Sequence, residues 1–179
     1  MSNNYLIGDC HYGHGDISSK FRKQFLSDED HDNTIHENIL SVSGKRNNLY
    51  LLGDIFFKQS TFDKLDEYSE YFNTVRIMIG NHDHKQLTKY TSQFDNVSCH
   101  GIIKRWGYWL SHAPIHPQEL YRGYSIHGHV HSNTIPDSRY LNTSCEAVGY
   151  KPISLTEVKE IFSLRKSIGL LEDKELHND

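Results

Sequence analysis

Val75-Arg76-Ile77-Met78-Ile79-Gly80-Asn81-His82-Asp83 is the stretch on which the reading of this chain turns. Its first five residues are mostly β-branched or apolar, the signature of a strand covered on both faces. Gly80 then permits a sharp turn and a close approach to a ligand. Asn81 offers a neutral oxygen, His82 a titratable ring, and Asp83 a carboxylate able to orient that ring. Two other stretches follow the same plan: Tyr5-Leu6-Ile7 runs into Gly8-Asp9-Cys10-His11, and Leu49-Tyr50-Leu51-Leu52 runs into Gly53-Asp54. Three strands are thus expected to carry donor atoms at their carboxyl ends, where open α/β sheets build their sites.

Helices are expected between these strands. From Asp32 to Val42, Ile35, Ile39, Leu40 and Val42 recur at helical spacing; Asp32 or Asn33 is placed to cap the start, and Gly44 to Asn48 ends the run. Ser60 or Thr61 is placed to cap a second helix with Phe62, Leu65, Tyr68 and Phe72 on one stripe. Asn73-Thr74 leads back into the opening stretch, which closes a βαβ unit and implies parallel strands. Farther on, the pattern predicts a short helix from about His84 to Phe94. Strands follow at Val97 to Lys104 and Tyr108 to Ser111 around an Arg105-Trp106-Gly107 turn, then at Tyr124 to His127 and Arg139 to Ser144. That is a hairpin-rich second half. A last helix is expected from Thr156 with Val158, Ile161 and Phe162 on one face, then a polar, loosely held tail from about Gly169. With no repeat, low-complexity block or linker, residues 1–179 read as one domain.

Composition bounds the function. Hydrophobic residues make up 36% of the chain and no apolar run is long enough to span a membrane. Met1-Ser2-Asn3-Asn4 has no basic or apolar leader character, so no signal peptide is expected. Cys10, Cys99 and Cys145 lie far apart without a pairing pattern, which fits a reducing compartment and a cytoplasmic location. A formal net charge of −4 gives no general attraction for a polyanion, which counts against a nucleic-acid partner. Thirteen histidines are an unusual number, and several lie inside motifs.

Two further strand ends carry imidazoles. Trp109-Leu110-Ser111-His112-Ala113-Pro114 brings one, and Ile126-His127-Gly128-His129-Val130-His131 brings three at alternate positions, on one face of a straight strand unless Gly128 already turns it. Taken singly, a Gly-Asp pair after a strand is an ordinary turn and a lone histidine an ordinary surface residue. Together, five strand ends supply oxygen or imidazole donors and none supplies a thiolate pair. Such donors suit divalent manganese, iron, zinc or nickel, whereas calcium takes oxygen alone. Two aspartates, one asparagine and four histidines exceed the needs of one four-coordinate ion. They match two ions that share a carboxylate, roughly 3.5–4 Å apart.

The ordered set Gly8-Asp9-Cys10-His11, Gly53-Asp54, Gly80-Asn81-His82-Asp83, Ser111-His112 and Gly128-His129-Val130-His131 resembles the five-motif signature of the calcineurin-like metallophosphoesterases. Tyr12-Gly13-His14, Asn142-Thr143-Ser144-Cys145-Glu146 and Pro152-Ile153-Ser154-Leu155 further resemble small members from bacteria and their phages. The resemblance implies an α/β fold, a four-layer αββα sandwich of two mixed β-sheets flanked by helices. It also implies one ion on Asp9, His11 and His131, a second on Asn81, His112 and His129, Asp54 bridging them, and His82 left free for catalysis beside Asp83. The cofactors would be two divalent ions, manganese first among them. The implied activity is hydrolysis of a phosphodiester or phosphomonoester, nucleotides included, by in-line attack of a metal-bridging hydroxide while His82 serves the leaving oxygen. Cys10 reads as packing. His14 and Arg22, in the region after the first motif, are candidate phosphate contacts, and Lys20, Arg22 and Lys23 form a small basic cluster that reads as a solvated face. Two other readings are a nuclease, which needs a basic, aromatic-lined groove, and a non-catalytic interaction module, against which stands a complete ligand set.

Overall fold

The computed structural model describes residues 2–121 and 123–171. The apolar strands expected from the sequence form the middle of a five-stranded sheet. It comprises β1 (Asn4–Ile7), β2 (Gly44–Leu51), β3 (Phe72–Met78) and β4 (Val97–His100), mutually parallel, and a short antiparallel strand at Ile153–Ser154 beside β1. Successive side chains of a strand point to opposite faces, and here both faces are covered. Leu49, Leu51, Val75 and Ile77 enter a core with Ile35 and Ile39 of one helix (Asp28–Leu40) and Leu65 and Tyr68 of another (Asp63–Tyr71). Leu6, Tyr50, Leu52 and Met78 enter a second core on the other face. Burial on both sides is why these strands read as nearly continuous apolar runs.

The second core is shared with a four-stranded sheet of β5 (Ile102–Arg105), β6 (Tyr108–Ser111), β7 (Tyr124–His127) and β8 (Tyr140–Asn142), in that order. Tyr108, Leu110, Tyr124 and Ile126 fill it together with Leu155, Val158 and Phe162 of the last helix (Leu155–Ser167). Phe162 stacks on Tyr108 and Tyr124 at centroid distances of 5.3 and 4.7 Å. The protein is therefore a mixed α/β structure with two mixed sheets and helices.

Five expectations are corrected. The single strand expected over Val97 to Lys104 is divided at the exposed Gly101, one half extending the first sheet and the other the second. A glycine lets the chain cross between sheets with no side chain to cover. The second half is not hairpin-rich: among the described residues of the second sheet only β5 and β6 pair antiparallel, while β6, β7 and β8 are parallel, the connection between Ser111 and Tyr124 being long enough for a crossover. The first long helix begins at Asp28, not Asp32, because the Ser27 hydroxyl accepts from the Asp30 N–H and Asp28, Glu29 and Asp30 favour the positive end of the helix dipole. Finally, Gly44 to Asn48 belongs to β2, and the helix expected from His84 to Phe94 is confined to Leu87–Thr91. The tail expected to be loose from about Gly169 falls largely on residues 172–179, outside the described residues.

Candidate metal centre

Parallel strands bring their carboxyl ends to one side, and the two sheets join there. The Gly8 N–H donates to Thr143 O and the Cys145 N–H to Gly8 O, linking the exit of β1 to that of β8. Beyond β1 and β2 the two chains remain zipped: the Asp9 N–H donates to Gly53 O and the His11 N–H to Asp54 O, both at 2.9 Å. Past β6 and β7, the Gly128 N–H donates to His112 O. Backbone hydrogen bonds thus gather four of the five motifs, and side-chain carboxylates bring in the fifth: the His82 N–H donates to Asp54 Oδ1 and the Asp54 N–H to Asp83 Oδ2.

Close approach at these ends demands glycine. A Cβ on Gly80 would collide with Asp54 Oδ1 and the Asp54 N, and one on Gly128 with Asp9 Oδ2. The ligand candidates themselves bear the strain. Nine described non-glycine residues have positive φ, and five of them are Asp9, His11, Asp54, His129 and His131, between 52° and 71°. Such backbone costs about 1–3 kcal/mol per residue and persists where the surroundings over-determine it, as they do at functional sites.

Two groups of ligand atoms result, Asp9 with His11 and His131, and Asp54 with His112 and His129, each within 4.8 Å. Asp54 Oδ2 lies 3.2 Å from His112 Nε2 and 3.9 Å from His11 Nε2, which places it between the groups. The tautomers follow from the hydrogen bonds. His112 Nδ1 donates to Leu52 O at 3.0 Å, leaving Nε2 to face Asn81 Oδ1 at 3.0 Å, His129 Nδ1 at 3.1 Å and Asp54. His131 Nδ1 donates to Glu146 Oε1 at 3.2 Å, leaving Nε2 toward Asp9 Oδ1. Carboxylate- or carbonyl-held imidazoles are the usual support of metal ligands.

The donor set fits cations. Asp9 Oδ1 and both nitrogens of His11 are buried without a hydrogen-bond partner, and buried polar atoms are rarely left so. Electrostatics agree. Burial pushes the Asp9 carboxyl up and the His11 imidazole down to about 3, Arg22 adding to the latter. At His112 burial is outweighed by Asp54, which raises the imidazole; at Asp54 burial is outweighed by the hydrogen bonds from His112 and the His82 N–H, which lower the carboxyl. The His11 imidazole, pushed toward its neutral form, and the Asp54 carboxylate 3.9 Å away are ready ligands. The two groups could each hold a metal ion, with Asn81 at the second.

His82 is exposed and tethered by its N–H to Asp54 Oδ1 at 2.7 Å, and its ring, which makes no hydrogen bond to the described residues, lies 5.8 Å from that of His11 and stacks on Phe57 at 5.9 Å. Asp83 does not orient that ring. Its carboxylate accepts the N–H groups of Gly80, Asp54, Ile55 and Phe56 at 2.8–3.0 Å, because four donors from two converging loops surround it. It holds the Asp54 loop to the Gly80 loop.

His14 joins the site: its ring lies 5.9 Å from that of His11 and 4.6 Å from that of Phe57. Arg22 does not offer itself to phosphate. It is 1% exposed, and its guanidinium donates to Asp9 O, Cys10 O, His31 Nε2 and Glu146 Oε1. Four acceptors inside the fold outcompete solvent, so the expected basic cluster dissolves; Lys20 pairs with Asp16 instead. Cys10 is buried in the first core, as expected for packing, and His127 donates through Nδ1 to Gly128 O. Sequence reasoning gave Glu146 no role, although it orients His131 and pairs with Arg22; the 124 residues between Glu146 and Arg22 leave no local signal.

No family model matches the chain. At 28% identity, 94% of it aligns with 96% of an uncharacterized protein of Methanocaldococcus jannaschii. The crystal structure of a protein of unknown function from Aquifex aeolicus matches with a TM-score of 0.69 over 90% of this chain and all of that one, at 24% identity, a likeness of fold. Among the described residues, no helix is long and apolar enough to cross a membrane.

Proposed function

We propose that the protein is a metal-dependent phosphoesterase of the calcineurin-like type, hydrolysing a small phosphodiester or phosphomonoester, with its two sheets and helices arranged as the family's four-layer sandwich. One observation carries this reading: two Asp/His groups joined through Asp54, with the His82 ring beside them and engaged by neither. When bound, a pair of divalent cations, manganese before iron, zinc or nickel, supplies Lewis acidity toward a phosphoryl group and activates water near neutral pH.

The chain's own residues do the rest. Asp9, His11 and His131 on one side, and Asn81, His112 and His129 on the other, fix where the phosphate sits, and Asp54 fixes their separation. In hydrolysis a P–O bond to water's oxygen forms as the P–O bond to the alcohol breaks. The leaving oxygen gathers charge, and the His82 ring is placed to give it a proton. Phe57 backs that ring, and the His82 N–H bond to Asp54 sets its distance from the metal ligands. A nuclease is disfavoured by the acidic balance and the loss of the Lys20–Arg22–Lys23 cluster as a basic surface.

The test combines metal analysis with turnover. Chelator-stripped protein should gain up to two equivalents of manganese, rise in melting temperature by mass action, and then cleave a phosphodiester or a phosphomonoester. Absence of both metal uptake and cleavage with manganese, iron, zinc and nickel sinks the proposal.

A further inference from the structure

Four aromatic rings form a ladder that starts at His82, beside the candidate metal ligands, and ends in solvent. His82 stacks on Phe57 at 5.9 Å with 25° between planes, Phe57 meets His14 edge-on at 4.6 Å, and His14 meets Phe21 edge-on at 5.8 Å. The His11 ring touches three rungs, at 5.8 Å from His82, 6.5 Å from Phe57 and 5.9 Å from His14. Phe21 is 71% exposed. Its neighbours are not: Ile17 is buried in the core, and Arg22 is clamped by the backbone of Asp9 and Cys10. The Phe21 N–H donates to Ile17 O, and the Arg22 N–H does the same. A rigid backbone thus presents a large ring to water, where it forgoes most of the stabilisation its burial would give.

An exposed aromatic face in line with a phosphoryl site matches a ligand that has an anionic group at one end and a planar ring at the other. Resting on the phosphoesterase reading above, we infer that the substrate is a nucleotide-like ester, its phosphoryl group at the Asp/His groups and its base stacked on Phe21. Two ring-to-ring steps, of 5.9 and 5.8 Å, lead from His11 through His14 to Phe21, which bounds their separation to the length scale of a single nucleotide. Stacking is indifferent to base identity, because every base has a π-face. A polymer is disfavoured, since a strand needs a basic track along its backbone, and the nearby cations Arg22 and Lys20 are committed to Glu146 and Asp16.

The experiment uses full-length manganese-loaded protein and two pairs of esters that differ only in the nucleoside or base. Adenosine 5′-monophosphate is compared with ribose 5-phosphate, and the 4-nitrophenyl ester of thymidine 5′-monophosphate with methyl 4-nitrophenyl phosphate. Within at least one pair the base-bearing ester should be preferred in kcat/KM, and Phe21→Ala should shrink that preference about 5- to 100-fold, mostly through KM. Binding is read separately: in Phe21→Trp, adenosine 5′-monophosphate should quench the new indole emission and ribose 5-phosphate should not. Turnover with a preference untouched by Phe21→Ala overturns this inference and leaves the phosphoesterase reading standing. Quenching without turnover of any ester supports the stacking site and sinks the phosphoesterase reading. Absence of quenching overturns the inference, as would single-stranded DNA displacing adenosine 5′-monophosphate at a more than tenfold lower concentration.

Discussion

The guanidinium of Arg22 donates to the carbonyl oxygen of Asp9 at 2.6 Å, so a buried cation holds the backbone of a candidate ligand in its left-handed conformation. The same guanidinium meets Cys10 O and Glu146, and Glu146 in turn fixes His131. Arg22 therefore holds Asp9 directly, His131 through Glu146, and the Cys10 carbonyl that leads into His11. Behind it, His31 Nε2 accepts from Arg22 at 2.7 Å, His31 Nδ1 donates to Asp32 Oδ1, and Asp32 Oδ2 receives the Gly13 N–H.

Arg22→Met should weaken metal binding at Asp9, His11 and His131 by about 10- to 100-fold, the usual effect of removing outer support. Stability should fall by roughly 3 kcal/mol, because Glu146 keeps a charge without its partner. Adding Glu146→Gln should recover part of the stability and none of the metal affinity. Manganese titration calorimetry with urea unfolding reads both; unchanged affinity in Arg22→Met removes the positioning role.

Glu146 also predicts a pH dependence. Burial pushes its carboxyl up, but the hydrogen bond from His131 and the charge of Arg22 prevail and hold it at about 2, against an ordinary value of 4.5. A carboxyl depressed by folding stabilises fully above its unfolded value and loses that contribution as pH falls from 4.5 toward 2. In metal-free protein the stability gap between wild type and Glu146→Gln should be on the order of 2 kcal/mol near pH 7, allowing for screening at a side chain 20% exposed, and should narrow below pH 4.5. A gap that stays constant down to pH 3 contradicts the assignment.

Much of this was legible in the chain. Three apolar runs ending in Gly-Asp, Gly-Asp and Gly-Asn-His-Asp gave both the parallel strands and the donor atoms, because strands covered on both faces leave a continuous hydrophobic signal and tight exits require glycine. The split of Val97 to Lys104 between sheets was not legible, since pairing partners are a tertiary choice and either half reads as strand. Arg22 was misread for the same reason: an arginine in a polar loop has no sequence mark that four buried acceptors await it. Asp83, three residues from Gly80, invited a local reading as partner of His82, while its true partners include residues 54 to 56.

Asp83 should accordingly behave as a structural carboxylate. Asp83→Ala leaves four backbone N–H groups without their acceptor and should cost about 3 kcal/mol or more. Asp83→Asn should lose metal affinity through the displaced Asp54 loop, while at saturating manganese its pH–rate profile stays where the wild-type profile lies. Were Asp83 the orienter of His82, that profile would move and metal content would stay.

The last expectation separates binding from chemistry. Asp54→Ala removes the carboxylate between the two groups and should lose both ions or leave one weakly held. His82→Ala should retain both, because its ring belongs to neither group and only its backbone N–H, which alanine keeps, bonds to Asp54. Turnover should collapse in each. For His82→Ala the loss should be about 10²- to 10⁴-fold, the usual worth of a positioned proton donor, and it should shrink for esters whose leaving oxygen needs little protonation. Metal analysis and kinetics on two aryl esters of different leaving-group basicity decide it: equal losses on both esters count against the proton-donor role, and metal lost from His82→Ala means that another residue serves the leaving oxygen.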